Sequence, residues 1–277
     1  MGCIKQHSWP QWVLPLLVLI GASVLLPRAG HAADIRFAVQ PILDAEATRK
    51  AYQPLADYIA QATGKSVELV TTFDYAEFWL RMKRGKEFNL ILDAPFYTDY
   101  RIKEQGHVPL VKVPGLVSYS LVTKSGEAIL DASELIGKKI ATIIPPAPGG
   151  LVMQKMFTHP SRQPYLVPAK SSEQALEMLL KGQVMAAMIP TPLAAQAMGQ
   201  GKEIATVATS PQTPHITLTA GPDIDAATRE KIVKALLDAG NNPKGQEMLK
   251  KVGFPEGFEA TSPEIYRGYS DYLKQQW

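Results

Sequence analysis

Residues 140–155 read IATIIPPAPGGLVMQK, and this stretch shows the pattern on which the whole chain is built. Its first residues are typical of a buried strand, its prolines and glycines of a turn, and its last residues of the beginning of a helix. A strand-to-helix turn of this kind often binds an anion through the free N–H groups of the helix N-terminus. This turn has no hydroxyl side chain between Pro145 and Gly150, and its prolines have no N–H to donate.

The alternation of strand and helix begins well before this turn. Strand-like segments lie at residues 35–39, 67–70 and 88–92, and the helix-like segments between them, at residues 44–64 and 74–85, open with an aspartate and end with a glycine. This βαβαβα order predicts a mainly parallel sheet with helices on both faces. The C-terminal part is predicted to be helical at residues 225–239, 243–251 and 263–276.

A second block of strands and helices follows the first, so the simplest assembly is two α/β lobes. We place the two chain crossings near residues 115–123 and 205–216. This division gives one lobe of residues 33–117 and 210–277 and a second lobe of residues 118–209. Two lobes joined by two crossing strands enclose a cleft at the hinge, and such a fold favours closure of that hinge around a ligand.

The first 32 residues have the features of a secretory signal peptide: a basic start with Lys5, an apolar run, and small residues before a cleavage site after Ala32. Cleavage removes Lys5, Arg28 and no acidic residue, which lowers the formal net charge from +3 by two to +1, and it removes the only cysteine, Cys3. The mature chain of about 245 residues is therefore predicted to be an exported periplasmic protein without a disulfide. An uncleaved membrane anchor is the alternative interpretation.

Few residues suit catalysis, metal binding or nucleic-acid binding. The mature chain keeps His107, His159 and His215, and none has a partner at the HxH or HxxxH spacing of a zinc site. There is no GxSxG elbow, no P-loop and no GxGxxG after a strand. No basic run is interleaved with aromatic residues. We therefore predict a monomeric, non-enzymatic protein that uses no cofactor or metal and binds no nucleic acid.

The candidate ligand contacts lie where the predicted strands end, because ligands of open α/β sheets bind beyond the C-terminal ends of the parallel strands. The first lobe has aromatic and apolar residues at these ends, and the second lobe has prolines, glycines and methionines. Each of them fits a core position equally well, and only their shared location favours a cleft. The predicted ligand-binding residues are Ile42, Phe73, Tyr75, Pro95, Phe96, Tyr97, Tyr119, Pro146, Ala147, Pro148, Gly149, Gly150, Met185 and Met188.

Five segments in a fixed order extend over nearly the whole mature chain: RFAVQP, YQPLADYIAQATGKSVELV, FDYAEFWLRMKRGKEFNLILDAPFYTDYRI, VSYSLVTKSG and ASELIGKKIATI. Together they resemble the periplasmic substrate-binding proteins of phosphate, phosphite and phosphonate ABC transporters. The resemblance implies the two-lobed type II binding-protein fold, in which each lobe is a mainly parallel sheet flanked by helices and two crossing strands form the hinge. It also implies that Tyr75 and Tyr97 line the ligand cleft and that the partner is a membrane permease.

Three polar positions of that family are replaced in this chain. A serine- and threonine-rich turn of the family corresponds to residues 146–149, a common histidine to residues 169–172, and an acidic strand residue to Met185. A desolvated oxyanion needs several charge-assisted donors, each worth roughly 1.5–3 kcal/mol. An apolar cleft without them disfavours a buried charge and instead stabilises an apolar ligand by about 25 cal/mol per Å² buried.

These departures predict a periplasmic solute-binding protein that closes around a largely hydrophobic or amphipathic ligand, lipid-like or sterol-like. Tyr75, Tyr97 or Tyr119 would bind its polar end, and the protein would deliver it to a membrane permease or another transport component. Two alternatives remain open. One is oxyanion binding for an ABC importer through the backbone N–H groups of residues 149–151 alone. The other is a periplasmic sensory partner of a membrane kinase.

Overall fold

The computed structural model describes residues 1–2 and 33–276, so the predicted signal peptide and its cleavage after Ala32 lie outside the described residues. Within the described ranges, no helix is long and apolar enough to cross a membrane.

The strands are β1 (Ile35–Val39), β2 (Val67–Val70), β3 (Leu90–Asp93), β4 (Val108–Lys112), β5 (Leu116–Val117), β6 (Tyr119–Lys124), β7 (Lys139–Thr142), β8 (Tyr165–Pro168), β9 (Ala186–Pro190), β10 (Ile204–Thr209), β11 (Thr213–Pro214), β12 (Thr217–Ala220) and β13 (Glu259–Ala260). The α-helices are α1 (Ala45–Thr63), α2 (Tyr75–Lys83), α3 (Pro95–Gln105), α4 (Pro148–Met156), α5 (Ser172–Leu180), α6 (Thr191–Gly199), α7 (Ala226–Leu237) and α8 (Pro243–Val252).

Local sequence signals explain where the first helices begin and end. Asp44 accepts a hydrogen bond from the N–H of Ala47, and Asp74 accepts one from the N–H of Glu77, so both aspartates are N-caps. Helix α1 ends at Gly64, whose φ of 73° is a left-handed conformation that glycine adopts without strain. The predicted helices of this part of the chain are therefore confirmed to within a residue or two.

The strands form two mixed sheets. The first has the order β13-β4-β12-β3-β1-β2, in which β1 pairs in parallel with β2 and β3 while β12 is antiparallel to its neighbours. The second has the order β10-β6-β9-β7-β8, in which β7 pairs in parallel with β8 and β9 while β6 is antiparallel to β9. The strands joined by helices are parallel, as predicted, and the antiparallel ones lie where the chain enters or returns to a sheet.

The chain crosses between the two sheets twice. It leaves the first sheet after β4 and passes through β5 into β6, and it returns from β10 through β11 into β12. Strands β5 and β11 pair with each other in an antiparallel two-stranded sheet, with Thr213 opposite Val117. This connection is the two-stranded hinge of a two-lobed fold.

Alternate residues of the first sheet face two different apolar cores. Phe37 and Val39 pack with α1, α7 and α8, whereas Ala38 faces the opposite side with α2 and α3. The core on that opposite side continues into the second sheet, and we call it the central cluster. Its members include Ala38, Tyr75, Phe78, Trp79, Ile91, Phe96, Tyr97, Leu121, Ile140, Ala147, Leu151, Ala186 and Met188. The two sheets are therefore in contact through buried side chains.

The C-terminal segment is not the α-helix that the sequence predicts for residues 263–276. It forms two 3-10 helices, Pro263–Tyr266 and Tyr269–Gln276, and Gly268 between them has a φ of 95°. The carboxylate of Asp99, on α3, accepts hydrogen bonds from the N–H groups of Gly268 and Ser270 at 3.1 and 2.8 Å. These contacts with a distant helix fix the segment in a conformation that its own sequence does not specify.

A buried ion pair joins the end of β3 to α3. Asp93 ends β3 and Arg101 lies on α3, and neither side chain is exposed to solvent. The guanidinium donates to both carboxylate oxygens of Asp93, at 2.5 and 2.7 Å, and to Thr219 at 2.9 Å. This two-pronged geometry is the strong form of an arginine–carboxylate contact.

The buried imidazole of His107 predicts a pH-dependent stability. Burial, together with the nearby Arg101 charge, lowers the pKa of His107 from 6.5 to about 3. The unfolded chain takes up this proton as the pH falls through about 6.5 while the folded protein does not, so stability decreases as the pH is lowered from about 6.5 towards 3. Between pH 7.5 and pH 5 the expected loss from this group is about 2 kcal/mol.

Urea titrations at these two pH values test this prediction. His107→Gln should lose about 2 kcal/mol less than the parent protein between pH 7.5 and pH 5. The control is His159→Gln, because His159 is exposed. Equal pH dependence in the parent protein and in both variants would contradict the prediction.

Candidate ligand-binding site

The N-terminus of α4 carries two free backbone donors. The helix begins at Pro148 and has no side-chain cap, and the N–H of Leu151 is already bonded to the carbonyl of Ala147 at 2.9 Å. Within the described residues, the N–H groups of Gly149 and Gly150 have no acceptor. Both residues are buried, so these are donors that the surrounding protein leaves unused.

Close packing requires a glycine at position 150 and leaves little room for a side chain at Gly149. A Cβ atom added to Gly150 would overlap the backbone nitrogen of Pro145 and lie 2.5 Å from its Cδ and 2.7 Å from the carbonyl carbon of Ile144. A Cβ atom added to Gly149 would lie 3.1 Å from Oγ1 of Thr142 and 3.6 Å from the ring of Tyr119. The backbone of the turn is therefore folded tightly against the strands beside it.

Two hydroxyl side chains lie next to this helix N-terminus although the turn itself contains none. Thr142 is the last residue of β7, is fully buried, and donates from Oγ1 to the carbonyl of Ile143 at 3.3 Å. Tyr119 is the first residue of β6 and packs against Gly149. Thr142 lies outside residues 145–150, so the turn sequence alone does not reveal this hydroxyl, although its place at a strand end could have done so.

The helices of the first sheet contribute two stacked tyrosines, Tyr75 on α2 and Tyr97 on α3, on the side that faces the turn before α4. The rings of Tyr75 and Tyr97 stack with centroids 6.4 Å apart, and the Tyr97 hydroxyl donates to the carbonyl of Pro146 at 2.5 Å. Burial, and then the neighbouring tyrosines and Asp93, raise the pKa of Tyr75 and Tyr97 well above 10, and burial also raises the pKa of Tyr119. All three hydroxyls therefore stay protonated at neutral pH and act as donors.

Removing the Tyr97 hydroxyl is expected to loosen the contact between α3 and the turn that precedes α4. Tyr97→Phe should cost about 1 kcal/mol of stability, because the hydrogen bond to Pro146 is lost, and it should increase the radius of gyration in small-angle scattering. The control is Tyr58→Phe, which loses a bond of the same kind, from α1 to the carbonyl of Ala235 on α7. An equal change of radius in both variants would contradict a specific role of Tyr97 in closure.

The structure brings together most, but not all, of the predicted site residues. Five of the predicted residues belong to the central cluster or pack on it: Tyr75, Tyr97, Tyr119, Ala147 and Met188. Three of the predicted prolines are also buried: Pro95, Pro146 and Pro148. Phe96 is also buried, but its ring packs against Tyr269 and Tyr272 of the C-terminal segment. Ile42 and Phe73 are 40% and 84% exposed, so these two side chains are not enclosed by either wall.

Met185 lies at the other end of the second sheet. It precedes β9, whereas the strand reaches the edge with the tyrosines at Pro190, which pairs with Tyr119. Met185 instead lines a surface cavity of about 340 Å³ together with Lys124, Lys138 and Lys139. Met185 also packs against the central cluster. Five positions along an extended strand correspond to about 16 Å, so Met185 lies well away from the edge with the tyrosines, and its role in ligand binding stays a prediction.

No group of three or more potential metal ligands is present among the described residues. The arrangement places uncharged donors at the start of a helix close to aromatic hydroxyls. Such a set can hold a small anion or a small polar molecule by hydrogen bonds.

Comparisons with known proteins agree with this architecture. A family described as "ABC transporter, phosphonate, periplasmic substrate-binding protein" matches residues 37–266. PhnD1 from Prochlorococcus marinus, solved with methylphosphonate, superimposes with a TM-score of 0.72 at 8% identity, over 87% of this chain and 97% of its own. XAC2383 from Xanthomonas citri, solved with ATP, gives 0.70 at 13% identity over the same shares. A phosphonate-transporter binding protein from Pseudomonas aeruginosa, PA3383, gives 0.67 at 12% identity, over 84% of this chain and 82% of its own.

A comparison with curated protein sequences found no match. At such low identities the solved structures establish the fold, a two-lobed type II periplasmic binding protein. The family match extends over most of the chain and establishes more than the fold. The chain belongs to the family of periplasmic substrate-binding proteins of phosphonate ABC transporters.

Proposed function

We propose that this chain captures a small oxyanion of the phosphonate class between its two lobes for an ABC importer. The observation that carries the proposal is the pair of unused N–H groups of Gly149 and Gly150 at the N-terminus of α4. Each hydrogen bond from such a donor to an anion contributes roughly 1.5–3 kcal/mol, and the helix dipole favours negative charge at the same place.

Donors from the strands supplement those of the turn. Tyr119 lies beside Gly149, and Tyr75 lies on the side of the first sheet; the hydroxyls of both remain protonated. The protons of Thr142 and Tyr97 are already donated to the carbonyls of Ile143 and Pro146. The prolines at the family's hydroxyl-rich turn therefore reduce the number of donors without removing them all. This set supports an oxyanion more strongly than the turn sequence suggests.

An apolar or amphipathic ligand is the second candidate, because Pro146, Ala147 and Pro148 form an apolar wall. Tyr97 contacts that wall directly through the carbonyl of Pro146. A ligand held in this arrangement is small, which favours a phosphonate over a lipid-like or sterol-like molecule.

Further parts of the proposal concern the chain as a whole. One lobe consists of residues 33–117 and 210–277, and the other consists of residues 118–209. The signal peptide is cleaved after Ala32. The protein binds its ligand without chemical change and passes it to a membrane permease, in keeping with relatives that are binding proteins.

Calorimetry on protein purified from the periplasm tests the proposal. We expect methylphosphonate to bind with one site per chain, and phosphate to compete with it. A second portion is extracted and its co-purified small molecules are identified by mass spectrometry. Absence of heat with both anions, together with a co-purified lipid, would contradict the proposal and support the second candidate.

A further inference from the structure

One buried hydroxyl beside the central cluster has no partner. Thr72 is only 4% exposed, and its Oγ1 atom has no hydrogen-bond partner in the described residues. Leaving a buried hydroxyl unsatisfied is unfavourable, so each such group requires an explanation. Thr72 lies between the end of β2 and Asp74, the N-cap of α2, three residues before Tyr75.

The side of the sheet that Thr72 faces follows from its neighbours. Leu69 packs in the core with α1, whereas Val70 packs on the central cluster. Thr71 returns to the α1 side, because Arg49 on α1 donates to its hydroxyl at 3.2 Å. Since successive side chains of an extended chain alternate, Thr72 faces the central cluster, the side on which Tyr75 and Tyr97 lie.

Gln40 and Thr72 follow the ends of two neighbouring strands. Strands β1 and β2 are parallel with Ala38 opposite Val70, so the next same-face positions are Gln40 and Thr72. Gln40 is also 4% exposed, and its Oε1 accepts the N–H of Ala94 at 3.0 Å, at the start of α3. Its Nε2 makes no hydrogen bond within the described residues, and continuing the register of β1 and β2 by two residues brings this amide opposite Thr72.

We propose that Gln40 and Thr72 form a second polar subsite that binds a hydroxyl group on the organic part of the ligand. Nε2 of Gln40 donates to the ligand hydroxyl oxygen, and Oγ1 of Thr72 accepts the ligand hydroxyl hydrogen. An ammonium group fits less well than a hydroxyl, because it has no lone pair to accept a hydrogen bond from Nε2 of Gln40. The preferred substrate is then a hydroxyalkylphosphonate, an inference that rests on the proposed function.

Binding of three phosphonates tests this subsite. We expect 2-hydroxyethylphosphonate to bind about 5- to 10-fold more tightly than methylphosphonate, which corresponds to one neutral hydrogen bond. It should also bind more tightly than 2-aminoethylphosphonate. Equal or weaker binding of the hydroxyl compound would overturn the subsite while leaving the proposed function intact. No binding of any of the three would instead overturn the proposed function and the subsite with it.

Substitutions at Thr72 provide the second test. Thr72→Val should lower the affinity for 2-hydroxyethylphosphonate about 5- to 10-fold, leave that for methylphosphonate unchanged, and leave the melting temperature of the free protein unchanged or higher. Thr72→Ser should retain the preference. The matched control is Thr123→Val, since Thr123 has the only other described buried hydroxyl without a partner and lies near the far end of β6. A lower melting temperature for Thr72→Val, or equal effects on both ligands, would contradict the proposal.

Discussion

Replacing Gly150 with alanine is expected to destabilise the protein by about 3 kcal/mol and to abolish phosphonate binding. The added methyl group would overlap the backbone of Pro145 and approach Ile144 to 2.7 Å, and backbone atoms cannot move aside as a flexible side chain can. The turn must therefore shift, and the N–H groups of Gly149 and Gly150 shift with it. Urea titration gives the stability, and calorimetry with methylphosphonate gives the binding.

Gly199→Ala is the matched control for this substitution. Gly199 is the last residue of α6, and a Cβ atom added there meets no atom within 4 Å. Alanine has a better helix propensity than glycine, so stability should be unchanged or higher. The account of the turn is wrong if Gly150→Ala is as stable as Gly199→Ala and binds the ligand normally.

Breaking the buried ion pair is expected to have the largest effect on stability. Asp93→Asn leaves the Arg101 guanidinium buried without a counter-charge, and such a change costs about 3–5 kcal/mol. Because Asp93 ends the strand that leads into α3, the position of Tyr97 should change as well. The midpoint of urea unfolding measures the stability, and near-ultraviolet circular dichroism reports the tyrosine packing.

The control for Asp93→Asn is Glu177→Gln on α5. Glu177 pairs with Lys181, but both side chains are 59% exposed, so water screens the interaction and little change is expected. Similar unfolding midpoints for the two variants would show that the buried pair does not stabilise the fold.

Local signals made much of the fold predictable. The N-cap aspartates, the terminal glycines and the alternation of strands and helices are encoded in neighbouring residues, and the structure follows them closely at Asp44, Asp74 and Gly64. The C-terminal segment was not predictable in this way. Its backbone N–H groups are bonded to Asp99, about 170 positions away in the sequence, so its conformation depends on tertiary contacts.

The site was predictable only in part for the same reason. Tyr75 and Tyr97 follow strand ends and were identified, but the place of Met185 depends on which edge of the sheet its strand begins at. Thr142 and Tyr119 meet Gly149 from two different strands. The donors that favour an oxyanion are therefore visible only after the strands are paired, and the turn sequence alone favoured an apolar ligand.

The central claim is that the N–H groups of Gly149 and Gly150 bind the ligand, and nuclear magnetic resonance tests it most directly. ¹⁵N-labelled protein is titrated with methylphosphonate while the backbone amide signals of the glycines are followed. We predict downfield shifts of the Gly149 and Gly150 amide protons that are the largest among the glycines and saturate together with the calorimetric binding curve. Saturable binding that leaves these two signals unmoved would contradict the account.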